Sequence, residues 1–151
     1  MRVEDQFHVG VVVEDFEGTL ATLTELFGYD WCEAVRAPTQ VVLPDGEREV
    51  EFHMTYSRNA PRVEIVGTVS GTLWTPAEGS GIHHLGYWSD DLARDSADLE
   101  ARGFANEAKG VDPEGNPFWA YHRNPAGPRI ELVSRALQPM MESWWATGRM
   151  G

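Results

Sequence analysis

Two histidines and two glutamates occupy matching positions in two similar stretches of the sequence. His8 begins the segment HVGVVVED and His84 begins HLGYWSDD, while Glu64 lies within PRVEIV and Glu131 within PRIELV. Both pairs occur in the same order, which indicates an internal repeat. Neutral imidazoles and carboxylates together suit borderline divalent ions such as Zn, Ni, Co, Mn or Fe(II). The four residues therefore predict a site for one divalent metal ion, whose identity the ligand types leave open.

The two glutamates are unusual because each interrupts a short apolar run that is typical of a buried strand. A buried carboxylate costs on the order of several kcal/mol unless it is paired or binds a metal. Either glutamate could instead pair with the arginine two positions before it, Arg62 or Arg129. A lone strand histidine is likewise more often a core residue than a ligand. The placement of all four residues by one repeat favours the metal site.

His83 competes with its neighbour His84 as a ligand. The repeat register selects His84, because His84 aligns with His8 and both are followed two residues later by a glycine. Side chains alternate along a strand, so each glycine shares the face of its histidine and leaves room for a metal and a substrate. His83 is then expected to point to the opposite face.

A helix is predicted after each histidine segment. The first has apolar residues at helical spacing, namely Phe16, Leu20, Leu23 and Phe27. Asp15 and Asp91 are suitable N-caps, and Gly28 and Gly103 are placed where the helices should end.

Each half also has three strand-like segments, so each half reads as β-α-β-β-β. The strands outside the repeated segments are predicted at 31–43, 48–56, 104–110 and 118–122. The predicted fold class is α+β, with two tandem βαβββ modules that form a curved mixed sheet around one site. The predicted organisation is a single domain over 1–151, with modules at 5–67 and 81–135, a linker at 68–80 and a C-terminal tail at 136–151 that contains a short helix over 136–147.

Composition narrows the function classes. A chain of 151 residues with a formal net charge of -12 is disfavoured as a partner of nucleic acid or of an anionic membrane. No apolar run approaches the roughly 18 residues of a membrane-spanning helix, and the N-terminus lacks a signal-peptide core. The single cysteine, Cys32, allows no intramolecular disulfide and is predicted to be a half-buried strand residue. These features predict a cytoplasmic protein with a small-molecule substrate.

The predicted pocket is aromatic. Trp88 shares the face of His84 if its strand is regular, and Tyr121 and His122 lie on a strand near the site, so all three are predicted to line it. Arg62 and Arg129 could hold a carboxylate or phosphate of the substrate, or could equally form ion pairs with neighbouring carboxylates. Such a pocket favours a fairly large apolar or aromatic substrate.

The paired segments HVGVVVED and HHLGYWSDD, with the endings RVEIV and RIELVS, resemble the vicinal oxygen chelate superfamily. That group includes glyoxalase I, methylmalonyl-CoA epimerase, extradiol dioxygenases and the bleomycin and fosfomycin resistance proteins. The resemblance covers residues 5–135 and is greatest to the glyoxalase I and epimerase-like branch. It implies that His8, Glu64, His84 and Glu131 are the metal ligands and that the protein is a homodimer. The tail is predicted to pack on the domain or on a second subunit, and Trp144 and Trp145 are consistent with a contact between subunits.

The resemblance also implies a reaction. The metal would chelate two substrate oxygens and stabilise an enediolate or enolate as a proton leaves the adjacent carbon. Glu131 or Glu64 would be the base, with Glu51 or His122 as alternatives. In the epimerases the position of Glu64 is usually Gln, whereas a Glu is typical of glyoxalase I.

Three functions remain open at this point. The first is a metal-dependent isomerase, epimerase or lyase, which the retention of four ligand-type residues favours. The second is an Fe(II) extradiol-type dioxygenase, which needs two histidines and only one carboxylate. The third is a metal-free protein that binds a small aromatic drug, as the resistance proteins do.

Overall fold

Eight strands and three α-helices follow one another as two successive βαβββ units and a final helix. A computed structural model describes all residues, 1–151. The first unit consists of β1 (Gln6–Val13), α1 (Phe16–Phe27), β2 (Val35–Leu43), β3 (Gly46–Tyr56) and β4 (Val63–Gly67). The second consists of β5 (His84–Ser89), α2 (Leu92–Ala101), β6 (Ala105–Val111), β7 (Pro117–Arg123) and β8 (Arg129–Ser134), and α3 (Gln138–Thr147) ends the chain.

The strands form one closed barrel in the order β1-β4-β3-β2-β6-β7-β8-β5. The two units are joined by the antiparallel pair β1–β5, and within each unit the first and last strands run parallel, as β1–β4 and β5–β8. The predicted α+β fold and curved mixed sheet are therefore confirmed. The sequence did not predict the closure, which depends on pairing of Gln40–Val42 in β2 with Lys109–Val111 in β6.

Both predicted N-caps are present. The Asp15 carboxylate accepts a hydrogen bond from the Gly18 amide, and the Asp91 carboxylate accepts one from the Arg94 amide, each at 3.0 Å. These bonds satisfy amides at the helix start that have no partner within the helix. Gly28 ends α1 in the left-handed conformation (φ 74°), which glycine adopts without strain. The helices α1 and α2 thus begin where the sequence predicts.

The segment between the units contributes to the core although its composition suggests only a linker. Trp74 is 1 % exposed and packs with Val12, Val41 and Phe52 inside the barrel. Its ring meets that of Phe52 edge to face, with 4.7 Å between the ring centroids. The linker therefore fills one end of the barrel.

The C-terminal tail fills the other end. The helix α3 begins at Gln138, after a short 3₁₀ turn at 135–137, and buries Met141, Trp144 and Trp145 against the barrel. Because Trp144 and Trp145 are covered by their own chain, they provide no surface for a subunit contact, and that interpretation was wrong. None of the three helices combines the length and the apolar character needed to cross a membrane.

Cys32 also differs from its prediction. It is 4 % exposed and lies before β2, which begins at Val35 and not at residue 31. Only Trp31 of the preceding segment forms a bridge, with Ser57. Cys32 packs among Tyr56, Trp88 and the α3 tryptophans because the tail covers this end of the barrel.

Candidate metal centre and adjoining cavity

The strand register places the four predicted ligands around two glycines. Gly10 in β1 is paired with Glu64 of β4 on one side and with His84 of β5 on the other. Gly86 in β5 is likewise paired with Glu131 of β8 and with His8 of β1. The two halves thus present the same triplet of histidine, glycine and glutamate, related by the antiparallel β1–β5 pair.

Both glycines are required by the packing of the histidine rings. A Cβ atom at Gly10 would lie 2.0 Å from Cε1 of His84, and one at Gly86 would lie 2.0 Å from Cε1 of His8. These rings therefore lie directly over the glycine of the neighbouring strand. The face shared by each histidine and its glycine, as predicted from the alternation of side chains, is the interior of the barrel.

The four side chains meet at one point. The Nε2 atoms of His8 and His84 are 3.0 Å apart. The Oε2 atom of Glu64 lies 3.0 Å from Nε2 of His84 and 3.5 Å from that of His8. The Oε2 atom of Glu131 lies 3.1 Å from Nε2 of His8 and 3.3 Å from that of His84. All four residues are buried, with at most 5 % of their surface exposed.

This arrangement fits a divalent metal ion. Nitrogen and oxygen ligands about 2.0–2.2 Å from a common ion lie about 3–3.6 Å from one another, which is the range observed here. The Oε2 atoms of Glu64 and Glu131 are buried and have no hydrogen-bond partner. A buried polar atom without a partner is costly, and a shared cation satisfies both oxygens at once. The residues present thus match the ion in donor type, spacing and charge.

The electrostatics of the cluster are dominated by burial and by the opposite charges of its members. Burial lowers the pKa of His8, but the nearby carboxylates of Glu64 and Glu131 more than reverse this and raise it to about 9. Burial raises the pKa of Glu64, and the two histidines reverse this effect and hold it well below its usual range. The carboxylates therefore stay ionised and attract a cation, whether a proton on an imidazole or a metal.

His83 does not point away from His84 as predicted. It precedes β5, so the strand alternation does not apply to it, and its Nδ1 lies 2.9 Å from Nδ1 of His84. Its Nε2 donates a hydrogen bond to the carbonyl of Leu73 at 2.8 Å. Burial lowers the pKa of His83 to about 4, so its ring is neutral and its Nδ1 accepts a hydrogen from His84. His84 therefore donates through Nδ1 and directs Nε2 at the cluster, where burial lowers its pKa but hydrogen bonds with Glu131 and Glu64 more than reverse this and raise it.

A large cavity adjoins the cluster. Its volume is about 550 Å³, and 16 of its 20 lining residues are hydrophobic. Glu64 and Glu131 are the only members of the cluster that line it. The two carboxylates therefore form the boundary between the apolar cavity and the candidate metal centre.

Of the five predicted pocket residues, only Tyr121 lines this cavity. Trp88 does face inward with His84, but Phe7 stacks on its ring at 3.8 Å between centroids and Trp145 lies beside it. The guanidinium of Arg62 stands 4.1 Å from the centre of the Trp145 ring and donates to backbone carbonyls. Trp88 and Arg62 are thus covered by the tail helix, which the prediction did not take into account.

Arg129 and His122 are also outside the cavity. Arg129 forms an ion pair with Glu107, with 2.7 Å between Nε and Oε2. An ion pair with a neighbouring carboxylate was one of the two roles predicted for Arg129 from the sequence. His122 is fully buried, and its nearest charged neighbour is Glu100 of α2, at 3.8 Å. His122 is therefore a residue of the helix–sheet packing and is not placed to touch a substrate.

The cavity has lining residues beyond the five predicted ones, among them Tyr56, which the sequence places on a strand near the site without fixing the direction of its side chain. Tyr56 is the inward residue at the end of β3, and the alternation of Phe52, Met54 and Tyr56 was a usable signal. Burial, followed by the charges of Glu64 and Glu131, raises the pKa of Tyr56 well above its ordinary value, and that of Tyr121 likewise. Both phenols therefore remain protonated beside the carboxylates. Trp74 had no comparable signal, because it lies in an irregular segment.

Comparisons with known proteins show which family and fold the chain resembles. The sequence profile of the family described as "Glyoxalase/Bleomycin resistance protein/Dioxygenase superfamily" matches residues 7–121. No curated protein sequence matches the chain.

Several solved structures share the fold. A methylmalonyl-CoA epimerase in complex with methylmalonyl-CoA and NH4+ superposes with a TM-score of 0.58 at 15% identity, covering 86% of this chain and 93% of that one. The methylmalonyl-CoA epimerase from Mycobacterium tuberculosis has a TM-score of 0.58 at 13% identity, covering 86% and 87%. A hypothetical protein from Bacillus halodurans C-125 has a TM-score of 0.58 at 14% identity, covering 85% and 92%.

Proposed function

The chain belongs to the glyoxalase/bleomycin resistance protein/dioxygenase superfamily, and from this premise we propose that it is a metal-dependent isomerase, epimerase or lyase. Its substrate is a small molecule with two neighbouring oxygens beside an acidic C–H bond. One observation carries the proposal. Two imidazole nitrogens and two carboxylate oxygens converge on one ion-sized gap, and outside this group none of the four atoms has another strong partner. His8, Glu64, His84 and Glu131 hold one divalent ion there.

The ion, when bound, supplies a Lewis acid that stabilises negative charge on the two substrate oxygens as the proton leaves the adjacent carbon. The chain supplies the proton acceptor. Glu64 and Glu131 are the candidates because each reaches the cluster with Oε2 and also lines the cavity in which the substrate would lie. A base must be within hydrogen-bond reach of the proton it takes, and no other carboxylate lines the cavity.

Tyr56 and Tyr121 complete the proposed site. Both line the cavity, and their raised pKa values keep the phenols protonated at neutral pH. A neutral phenol can donate a hydrogen bond to a substrate oxygen or to a carboxylate that has just lost contact with the ion. The apolar lining around them excludes water, which strengthens each of these electrostatic interactions.

The two other functions considered from the sequence are weaker. An Fe(II) dioxygenase site has two histidines and one carboxylate, with the remaining positions open, whereas here Glu64 offers a fourth ligand atom. A metal-free binding protein is favoured by the apolar cavity, but it leaves the two buried carboxylates with only the buried imidazoles of His8 and His84 as partners. Metal content separates this last function from the other two.

The test is metal-dependent proton exchange. The protein is loaded in turn with Zn, Ni, Co, Mn and Fe(II) and incubated in D2O with a panel of chiral α-hydroxyketones, benzoin among them. We expect at least one metal to support deuterium incorporation at the carbon beside the oxygens, together with racemisation. Oxygen uptake with catechols, in place of exchange, would indicate a dioxygenase, and no reaction with any loaded metal would contradict the proposal.

Matched variants test the assignment of the proton acceptor to the pair Glu64 and Glu131. Glu131→Gln and Glu64→Gln are each expected to lose exchange. Glu51→Gln serves as the control, because the Glu51 carboxylate is exposed, lies 3.6 Å from the Arg36 guanidinium and does not line the cavity. Loss of exchange in the Glu51 variant would show that the proton acceptor has been misassigned.

A further inference from the structure

The cavity beside the carboxylates carries very little charge. Apart from Glu64 and Glu131, its only charged lining residue is Arg36, whose side chain is 64% exposed and lies 3.6 Å from Glu51. No lysine, and no arginine other than this paired one, lines the cavity to receive a phosphate or carboxylate. A charged group placed in an apolar cavity without a partner is strongly disfavoured.

The charge of the chain also disfavours anions. The strand β3 carries three exposed glutamates at alternate positions, Glu47, Glu49 and Glu51, and the Glu51 carboxylate lies 3.6 Å from the Arg36 guanidinium. The whole chain has a net charge of -12. A ligand with several phosphates needs a basic platform to bind them. The lining of the cavity provides none.

One wall of the cavity is a rigid set of aromatic rings. Trp74, Trp119 and Tyr121 stand nearly perpendicular to one another, with centroid separations of 5.8 Å, 5.5 Å and 5.4 Å. Phe52 meets Trp74 and Trp119 at similar angles. Edge-to-face rings hold one another in place and favour a planar ring that adds another such contact.

The remaining lining includes four of the five methionines of the chain. Met54 comes from β3, and Met140, Met141 and Met150 come from α3 and the residues after it. Met140 and Met150 are 46% and 43% exposed, so they lie at the mouth. Methionine side chains are flexible and polarizable and adapt to apolar ligands of irregular outline. This side of the cavity can therefore adjust to ring substituents.

We propose that the substrate is an uncharged, largely planar molecule of two or three fused rings, held between the aromatic and methionine walls so that its two neighbouring oxygens and the C–H bond beside them lie at Glu64 and Glu131. The cavity volume is within the range of drug-sized ligands. This inference rests on the proposed function only for the role of the two oxygens; the uncharged ring system is inferred from the cavity lining. It excludes acyl-coenzyme A thioesters as substrates, although proteins of similar fold are named for one.

The test compares a neutral and an anionic form of the same ring system. The probe is 2,3-dihydroxynaphthalene, and its comparison compounds are the 6-sulfonate derivative and acetyl-coenzyme A, with binding followed by tryptophan fluorescence or calorimetry on the metal-free protein. We expect the neutral probe to bind, and both anionic compounds to bind at least ~10-fold more weakly because their charge finds no partner. Equal or tighter binding of an anion, or no measurable binding of the neutral probe, overturns the proposal.

Matched variants locate the binding. Ala37→Trp fills the cavity from the inner face of β2, whereas Gln40→Trp adds the same ring to the exposed face of that strand. The first is expected to reduce probe binding at least ~10-fold and the second to leave it unchanged. Unchanged binding in the Ala37 variant overturns the proposal. If the Ala37 variant fails to fold, the preference of the unmodified protein for the neutral probe over the anionic compounds still decides the test.

A last measurement separates the two proposals. Zn²⁺-loaded protein is expected to bind the diol more tightly than the metal-free protein does, whereas binding of 2-naphthol, which has one oxygen, should change much less. If the selectivity for neutral rings holds but the metal has no effect on the diol, the substrate class stands and the proposed metal function fails. If the metal strengthens binding of the diol and of anions alike, the substrate class fails and the metal function stands.

Discussion

At the scale of single residues, two glycines make the candidate metal centre possible. Gly10 and Gly86 have no side chain, and the rings of His84 and His8 occupy the space where a Cβ would lie. The histidines can therefore reach across the β1–β5 pair and meet with 3.0 Å between their Nε2 atoms. A methyl group at either glycine pushes one imidazole out of the cluster.

Gly86→Ala is the corresponding test. The added methyl would lie 2.0 Å from Cε1 of His8, so we expect the ring to move and metal binding to weaken by at least ~10-fold while the fold is retained. The control is Gly67→Ala, where the nearest atom is an ordinary 3.5 Å away. Metal titration with circular dichroism checks both, and unaltered affinity in the Gly86 variant would show that this close packing has no role.

His83 gives a second test at the same scale. It accepts a hydrogen from Nδ1 of His84 and so leaves the other nitrogen of His84 free for the ion. Loss of such an outer hydrogen bond typically weakens metal affinity about 10–100-fold. We expect this for His83→Phe, measured by competition with a chelator. His53→Phe, on a histidine that stacks on Phe16 away from the cluster, should bind metal normally.

The roles of single residues could be predicted from the sequence where the internal repeat aligned them. They could not be predicted where contacts with other strands or helices determine the position of a side chain. The repeat aligned all four clustered residues and also chose His84 over His83. Nothing local distinguishes an arginine in a pocket from one in an ion pair, and Arg129 pairs with Glu107 from a strand 22 residues away. The sequence could not identify that partner.

At the scale of elements, α3 determines which residues can meet a substrate. It covers Trp88 and Tyr56 at one end of the barrel and contributes Met140, Met141 and Trp144 to the cavity. Its last turn is held by Arg58, whose guanidinium donates to the carbonyls of Trp145 at 3.0 Å and Ala146 at 2.7 Å. The tail is therefore a part of the barrel core.

Trp144→Ala tests this role of α3. The side chain is 2 % exposed and meets the Tyr56 ring edge to face, so its removal leaves a cavity. We expect a loss of about 3–5 kcal/mol in the free energy of unfolding, measured by urea denaturation. Phe27→Ala is the matched control, since Phe27 is 71% exposed and its loss should have little effect. Equal stability of the two variants would mean that the tail is not packed as described.

Most elements could be predicted because they depend on local patterns. The aspartate caps, the glycine at the end of α1 and the period-two strands are all readable over a few residues. The β2–β6 pairing that closes the barrel joins residues about 70 positions apart, such as Val41 and Gly110. Long-range pairing of this kind depends on the curvature of the whole sheet, which no short pattern specifies.

At the scale of the whole molecule, one buried histidine links stability to pH. Burial lowers the pKa of His122, and neither ring nitrogen has a hydrogen-bond partner. In the unfolded chain the same residue takes up a proton near its ordinary pKa of about 6.5. Below that pH the unfolded state binds a proton that the folded state does not, so stability is lost as the pH falls.

His122→Leu should therefore reduce the acid sensitivity of the fold. The difference between parent and variant is limited to one proton, or about 1.4 kcal/mol per pH unit, and should appear below about pH 6.5. Urea denaturation of both proteins at pH 5, 6 and 7.5 measures it. Parallel pH profiles for the two proteins would show that His122 titrates alike in the folded and unfolded states.

The central claim is that one divalent ion lies among the four convergent side chains. The most direct measurement is anomalous X-ray scattering from crystals of the protein soaked with Co²⁺ or Zn²⁺, together with metal content in solution. The account predicts about one ion per chain, with a single strong peak about 2.0–2.3 Å from Nε2 of His8 and His84 and from carboxylate oxygens of Glu64 and Glu131. A peak elsewhere, or no peak at that point in metal-soaked crystals, would contradict it.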